Sequence, residues 1–182
     1  MESNEVGHEK GLGGLVRSTT PEPLSAGTES EILGWFLDYS RAVLVRKAEG
    51  LTEAQARATV PPSSLTILGL VRHLAGVEEY WWTEMFLGRE AILWVDDDDP
   101  DRDFHPSESD TLDDALAALR TQIAAGNATL EAAVSFDQLA VRERRGNSVS
   151  LRWIVVHLIE EYSRHCGHAD FLREAIDGLT GD

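Results

Sequence analysis

Cysteine is nearly absent from this chain: Cys166 is the only one among 182 residues. No intramolecular disulfide can form, which excludes a disulfide-stapled secreted scaffold. Basic residues are also scarce. Lys and Arg number 16 against 32 Asp and Glu, a formal net charge of -16. That balance argues against non-specific nucleic-acid binding, which needs a basic surface. No apolar run approaches the roughly 20 residues that span a bilayer. The N-terminus has no apolar signal-peptide core. Together these absences lead us to expect a cytoplasmic protein with neither a nucleic acid nor a membrane as partner. The sequence also lacks a Gly-rich phosphate loop, a CxxC pair and a GxSxG turn, so the corresponding nucleotide, redox and serine-hydrolase chemistries have no motif here.

What is present suits one globular domain. The chain is 42% hydrophobic and 26% charged, and its length is enough for a real core. Met1 to Gly27 is rich in Gly, Ser, Thr, Pro and charge without periodicity, and reads as a mobile or loosely docked arm. Residues 28–182 are then the domain.

Four amphipathic segments make up that domain. Thr28-Glu-Ser-Glu31 is a capping box, and the apolar spacing after it predicts a helix ending near Ala48, with Gly50 as its C-cap. LTEAQARA (Leu51 to Ala58) predicts a short helical turn, closed by Pro61-Pro62. Ser63 to Leu87 predicts a second long helix, capped by Ser63, Ser64 or Thr66 and stopped by Gly88. Thr111-Leu-Asp-Asp114 is a second capping box and opens a third. VRERRGN (Val141 to Asn147) is a basic connection with a turn signal at Gly146-Asn147. Ser148 to Glu174 predicts the fourth helix. No segment reads as a convincing strand, so the fold class is all-α, a four-helix bundle. The acidic stretch Asp96 to Asp99, with Asp101 and Asp103, lacks the Gly and terminal Glu of an EF-hand loop and reads as a solvated loop.

The fourth segment carries the unusual chemistry. His157, Glu161 and His165 recur at i, i+4 and i+8 on one face of a core-forming helix, followed by His168. Polar side chains aimed at a core are costly unless satisfied, and a divalent metal would satisfy them. His157 and His165 are roughly 12 Å apart in helical rise, too far to share one ion. Three pairings remain open: Glu161 with His165, His157 with Glu161, and His165 with His168. His73, on the second helix, is the natural third ligand. A His₂Glu set with an open position is a catalytic zinc arrangement. The bland alternative is a set of hydrogen-bonded core residues and surface i, i+4 pairs. Cys166 reads as a buried structural thiol, and Trp81, Trp82 and Trp153 as packing residues.

PPSSLTILGLVRHLAGVEEYWW (Pro61 to Trp82), DFHPSESDT (from Asp103) and SLRWIVVHLIEEYSRHCGHADFLREAIDG (Ser150 to Gly178) resemble the DinB-like superfamily, in its actinobacterial branch of unknown function. The resemblance covers about Ser30 to Asp182. It implies a DinB-like four-helix bundle with a divalent-metal site built from one His of the second helix and an HxxxH pair of the last. Carried over by motif, His73 and His165 match, and Glu161 stands where the commoner pattern has His. That departure resembles the mycothiol-dependent maleylpyruvate isomerase branch and favours the Glu161–His165 pairing. His157 then lies one turn beyond the set, and His168 behind it.

The resemblance implies a metal-dependent transferase or isomerase that uses a low-molecular-weight thiol such as mycothiol. The partners it implies are that thiol and a small-molecule electrophile. The donor set suits zinc, with nickel a competitor. Helical members of such families often dimerise, so a homodimer is also among the expected partners. The competing reading is a non-enzymatic binding or stress-related module, with a structural metal or none.

Overall fold

The computed structural model describes residues 25–94 and 98–180. Most of the arm expected at Met1 to Gly27, and Asp96 and Asp97 of the acidic stretch, lie outside the described residues. Among the described residues there are five α-helices: α1 (Glu29–Ala48), α2 (Glu53–Ala56), α3 (Ile67–Glu79), α4 (Leu112–Ala132) and α5 (Leu151–Asp177). The four long ones form the expected all-α bundle, and no strand is present among the described residues.

Side chains near the chain's own helix termini set most of the boundaries. The Thr28 hydroxyl accepts from the Glu31 N–H while the Glu31 carboxylate reaches back to the Thr28 N–H, which satisfies two donors that a helix start otherwise leaves free. Thr52 and Gln55 repeat this at α2. Thr66, Thr111 and Ser150 cap α3, α4 and α5. Of the three candidate caps for the second long helix it is Thr66 that serves, so α3 starts later than Ser63. The last helix likewise starts at Leu151 and runs on to Asp177, where Gly178 takes a left-handed φ of 75° that suits glycine.

The second predicted helix is not α-helical to its end: Tyr80–Phe86 winds as a π-helix continuing α3. The Leu87 N–H accordingly bonds five residues back, to the Trp82 carbonyl. Trp81 and Trp82 are both buried in this wider turn.

α1 packs mainly along α5, and α3 along α4. Leu37 and Leu44 of α1, Leu68 and Leu74 of α3, Leu119 of α4, and Ile154 and Leu158 of α5 are fully buried between them. Burying each such side chain contributes about 1.5–3 kcal/mol. Inside this apolar layer lies one polar knot. Glu78, fully buried, accepts two bonds from the Arg41 guanidinium at 2.7 Å, one from the Tyr162 hydroxyl at 2.8 Å and one from the Trp82 indole at 2.6 Å. Arg41 also donates to Asn127 at 2.7 Å. The knot thus joins all four long helices, and a buried charge with every partner supplied fixes their register.

Candidate functional site

His73 projects from α3 and faces Glu161 and His165, which stand one turn apart on α5. The Glu161 Oε2 lies 3.5 Å from the His165 Nε2 and 3.9 Å from the His73 Nε2. All three candidate ligand atoms fall within 4.8 Å of one another. The His73 Nε2 is buried and has no hydrogen-bond partner. An unpaired buried nitrogen is costly, and here it faces a carboxylate oxygen and a second imidazole. Around a tetrahedral ion with ligand bonds of about 2.1 Å, donor atoms sit about 3.4 Å apart. The separations of Glu161 from both imidazoles lie near that spacing, so the residues present fit a His₂Glu metal site.

Each donor is backed by a second contact. The His73 Nδ1 lies 2.7 Å from Oδ2 of Asp103. Burial opposes ionisation of Asp103, but its hydrogen bond and charge interaction with His73 and the backbone N–H donors of its own loop together outweigh it and hold the carboxyl below its usual range. Asp103 is therefore an acceptor, the His73 Nδ1 donates to it, and the ring turns its Nε2 to the cluster. Phe104 stacks on the His73 ring with centroids 4.1 Å apart. His165 is buried, and its Nδ1 meets the Nδ1 of His168 at 3.3 Å. Burial and the neighbouring His73 push its pKa down to about 4, against the opposing pull of Glu161, so His165 is neutral at pH 7. Burial also works against the Glu161 carboxylate, yet Arg164, donating to its Oε1 at 2.8 Å, keeps it ionised.

On the far side of Glu161 sits His157, its Nε2 3.6 Å from Oε1. His157, Glu160 and Glu161 form a second group with ligand-like spacing, but Arg164 already binds both carboxylates, so a cation there would meet a resident positive charge. His157 is instead wedged between indoles. It stacks on Trp153 at 4.8 Å and meets Trp81 edge-on at 4.9 Å.

A family model described as mycothiol-S-transferase matches residues 32–178. The chain belongs to the mycothiol-S-transferase family. No functionally curated protein matches it. Among solved structures, a conserved protein from Enterococcus faecalis is similar to this family member in fold. The two share 17% sequence identity with a TM-score of 0.59, over 85% of this chain and 100% of the other. The DinB-like resemblance read from the motifs and the all-α class both hold for this mycothiol-S-transferase family chain. No helix among the described residues is long and apolar enough to cross a membrane.

Of the three open pairings, the fold gathers His73 with Glu161 and His165, leaves His157 against the other oxygen of Glu161, and sets His168 behind His165. Two expectations need correction. Asp103, assigned to a solvated loop, is half-buried and bonded to His73; the loop folds back onto α3, which residue spacing does not encode. Trp153, grouped with the packing residues, is 41% exposed, because it lies at the start of α5 beyond the bundle's cover. Cys166 faces α1 instead of the cluster, its thiol 3.5 Å from the Ser40 carbonyl.

Proposed function

We propose that this chain is a divalent-metal-dependent enzyme that uses a low-molecular-weight thiol, mycothiol by its family, in S-transfer or isomerisation with a small-molecule electrophile. One observation carries the reading: the buried, unpartnered Nε2 of His73 aimed at Glu161 and His165. His73, Glu161 and His165 are the proposed ligands, and zinc suits them best, with nickel the nearest competitor. An ion held there supplies positive charge that lowers the pKa of a nearby thiol and favours its thiolate.

The remaining work falls to the chain. Asp103 fixes the His73 tautomer, so that a lone pair and not a proton faces the site. The His165 Nδ1 is engaged by the His168 Nδ1 at 3.3 Å, which leaves its Nε2 for the cluster. Arg164 holds the outer oxygen of Glu161 and leaves the inner one to the cluster. Three protein donors leave room for a thiol, whereas a structural site would need a fourth. His157 and His168 are the candidates for that place, and both are turned to other contacts. In transfer, the thiol loses its proton, its sulfur bonds to the electrophilic carbon, and the leaving group departs with the electrons of the bond that breaks.

The test is metal content of protein purified without an affinity tag or chelator, with His73→Ala, Glu161→Ala and His165→Ala alongside. Near-stoichiometric metal that each variant loses while keeping its helical circular dichroism supports the site. Thiol transfer from mycothiol to an electrophile should be lost with it. A wild type that binds neither Zn²⁺ nor Ni²⁺ removes the reading.

A further inference from the structure

Arg144 stands out in a chain with twice as many acidic as basic residues. Arg142 is paired with Glu84, and Arg152 with Glu29 and Asp137, while the exposed Arg145 lies at the tip of the turn. Arg144 has no carboxylate within ion-pair distance among the described residues. Its guanidinium instead lies over two indoles, 5.7 Å from the Trp81 centroid and 5.4 Å from that of Trp153. These rings also flank His157, and the His157 Nε2 is 3.6 Å from the Glu161 Oε1. Contacts therefore run from the guanidinium through the two indoles and His157 to Glu161 of the His73–Glu161–His165 cluster.

The placement is built into the backbone. Arg144 and Asn147 exchange backbone bonds of 2.9 and 3.0 Å across a tight turn, whose central residues Arg145 and Gly146 have φ of 54° and 77°. The arm leading into this turn is pinned to the end of the π-helix, where the Val141 and Arg142 N–H groups donate to the Phe86 and Met85 carbonyls. On the other side it is tied to the residue preceding the α5 cap by the Ala140–Val149 bond of 2.8 Å. Arg144 is thus held in place before any ligand arrives. A guanidinium packed against aromatic rings keeps N–H donors at its edge, in the fork geometry that matches a carboxylate.

We infer that Arg144, presented across Trp81 and Trp153, is a subsite for the carboxylate of a small organic acid, and that the electrophile handled at the neighbouring cluster is such an anionic acid. As a statement of substrate class this rests on the proposed function above. Trp153, 41% exposed, offers apolar surface to the carbon skeleton beside the guanidinium, which fixes the orientation, while the buried Trp81 backs the guanidinium. In a protein of net charge -16, a local cation favours the approach of an anion to this part of the surface.

The test is equilibrium titration of the full chain as purified with benzoate and with its uncharged isostere benzamide, at one ionic strength. Backbone and indole N–H NMR signals report binding, and the metal content of each sample is measured. Benzoate should move the Trp81 and Trp153 indole signals and saturate at a concentration about tenfold lower than benzamide, the factor expected for a charge-assisted pair. Arg144→Gln should abolish that preference, Arg144→Lys should keep part of it, and Arg145→Gln should leave it intact. Equal response to the two ligands in the wild type, a preference that survives Arg144→Gln, or shifts confined to other tryptophans would overturn the inference. A protein that takes up neither Zn²⁺ nor Ni²⁺ yet still shows the Arg144-dependent preference would sink the metal reading and leave the carboxylate subsite standing. Full metal with no preference would do the reverse.

Discussion

Asp103 and His73 are bonded at 2.7 Å across 30 residues of chain. The carboxylate reaches the one imidazole nitrogen that does not face Glu161, so its effect on the cluster passes entirely through the ring. Arg72, next to His73 and fully buried, secures the same loop from the other side. It reaches the Arg102 carbonyl and the Asp110 carboxylate, each at 3.3 Å, and its guanidinium lies 4.8 Å from the Trp94 ring centroid. Two successive α3 residues thus hold a loop that looks like solvated acid in the sequence.

Asp103→Asn tests that relationship. An amide can still bond to Nδ1, but it can donate as well as accept, so it no longer enforces the tautomer. Loss of such a backing carboxylate typically lowers metal affinity about 10–100-fold. Competition with a metallochromic chelator should show that loss for Asp103→Asn, with the circular dichroism spectrum unchanged. An unaltered affinity would mean that the carboxylate only anchors the loop.

Cys166 should be inert in the native protein. Burial, with the nearby Asp170 adding to it, pushes its thiol up to about 12, so almost no thiolate exists at neutral pH. Alkylation by iodoacetamide at pH 8 should be slow in buffer and fast in denaturant. Cys166→Ser should leave thiol-transfer activity within about twofold of wild type, because the side chain faces Ser40 and not the cluster. Rapid native alkylation would return the residue to consideration as a nucleophile.

The helices were legible because their ends are written locally. Thr28 with Glu31 and Thr111 with Asp114 each act within one turn of the boundary they set. The cluster was less legible: spacing set His157, Glu161 and His165 on one helix face but left three pairings open, and it was the family resemblance that favoured Glu161 with His165 and matched His73 to them. The π-helix was not legible. YWWTEMF has apolar residues that fit an α period equally well, and what decides is how Trp81 and Trp82 are received by neighbouring helices. Asp103 and Arg144 were missed for one reason: each acts through a loop whose return path is set by distant contacts, Arg72 for the first and the Met85 and Phe86 carbonyls for the second.

The knot around Glu78 should govern stability more than any apolar residue near it. Glu78→Ala leaves the Arg41 charge buried with only Asn127 and the exposed Asp38 to meet it, and breaking a buried pair in this way costs about 3–5 kcal/mol. Tyr162→Phe removes one bond to an ionised acceptor and should cost about 1.5–3 kcal/mol. Gly126→Ala attacks the same knot from α4: a methyl group there would stand 2.5 Å from the Trp82 Nε1, displacing the indole from Glu78, at a cost of about 1–3 kcal/mol. Urea denaturation should show all three as lower midpoints with an unchanged slope. Because the residues share one acceptor, Tyr162→Phe combined with Glu78→Ala should cost less than the two separately. Strict additivity would show that the Tyr162 hydroxyl gains its stability somewhere other than Glu78.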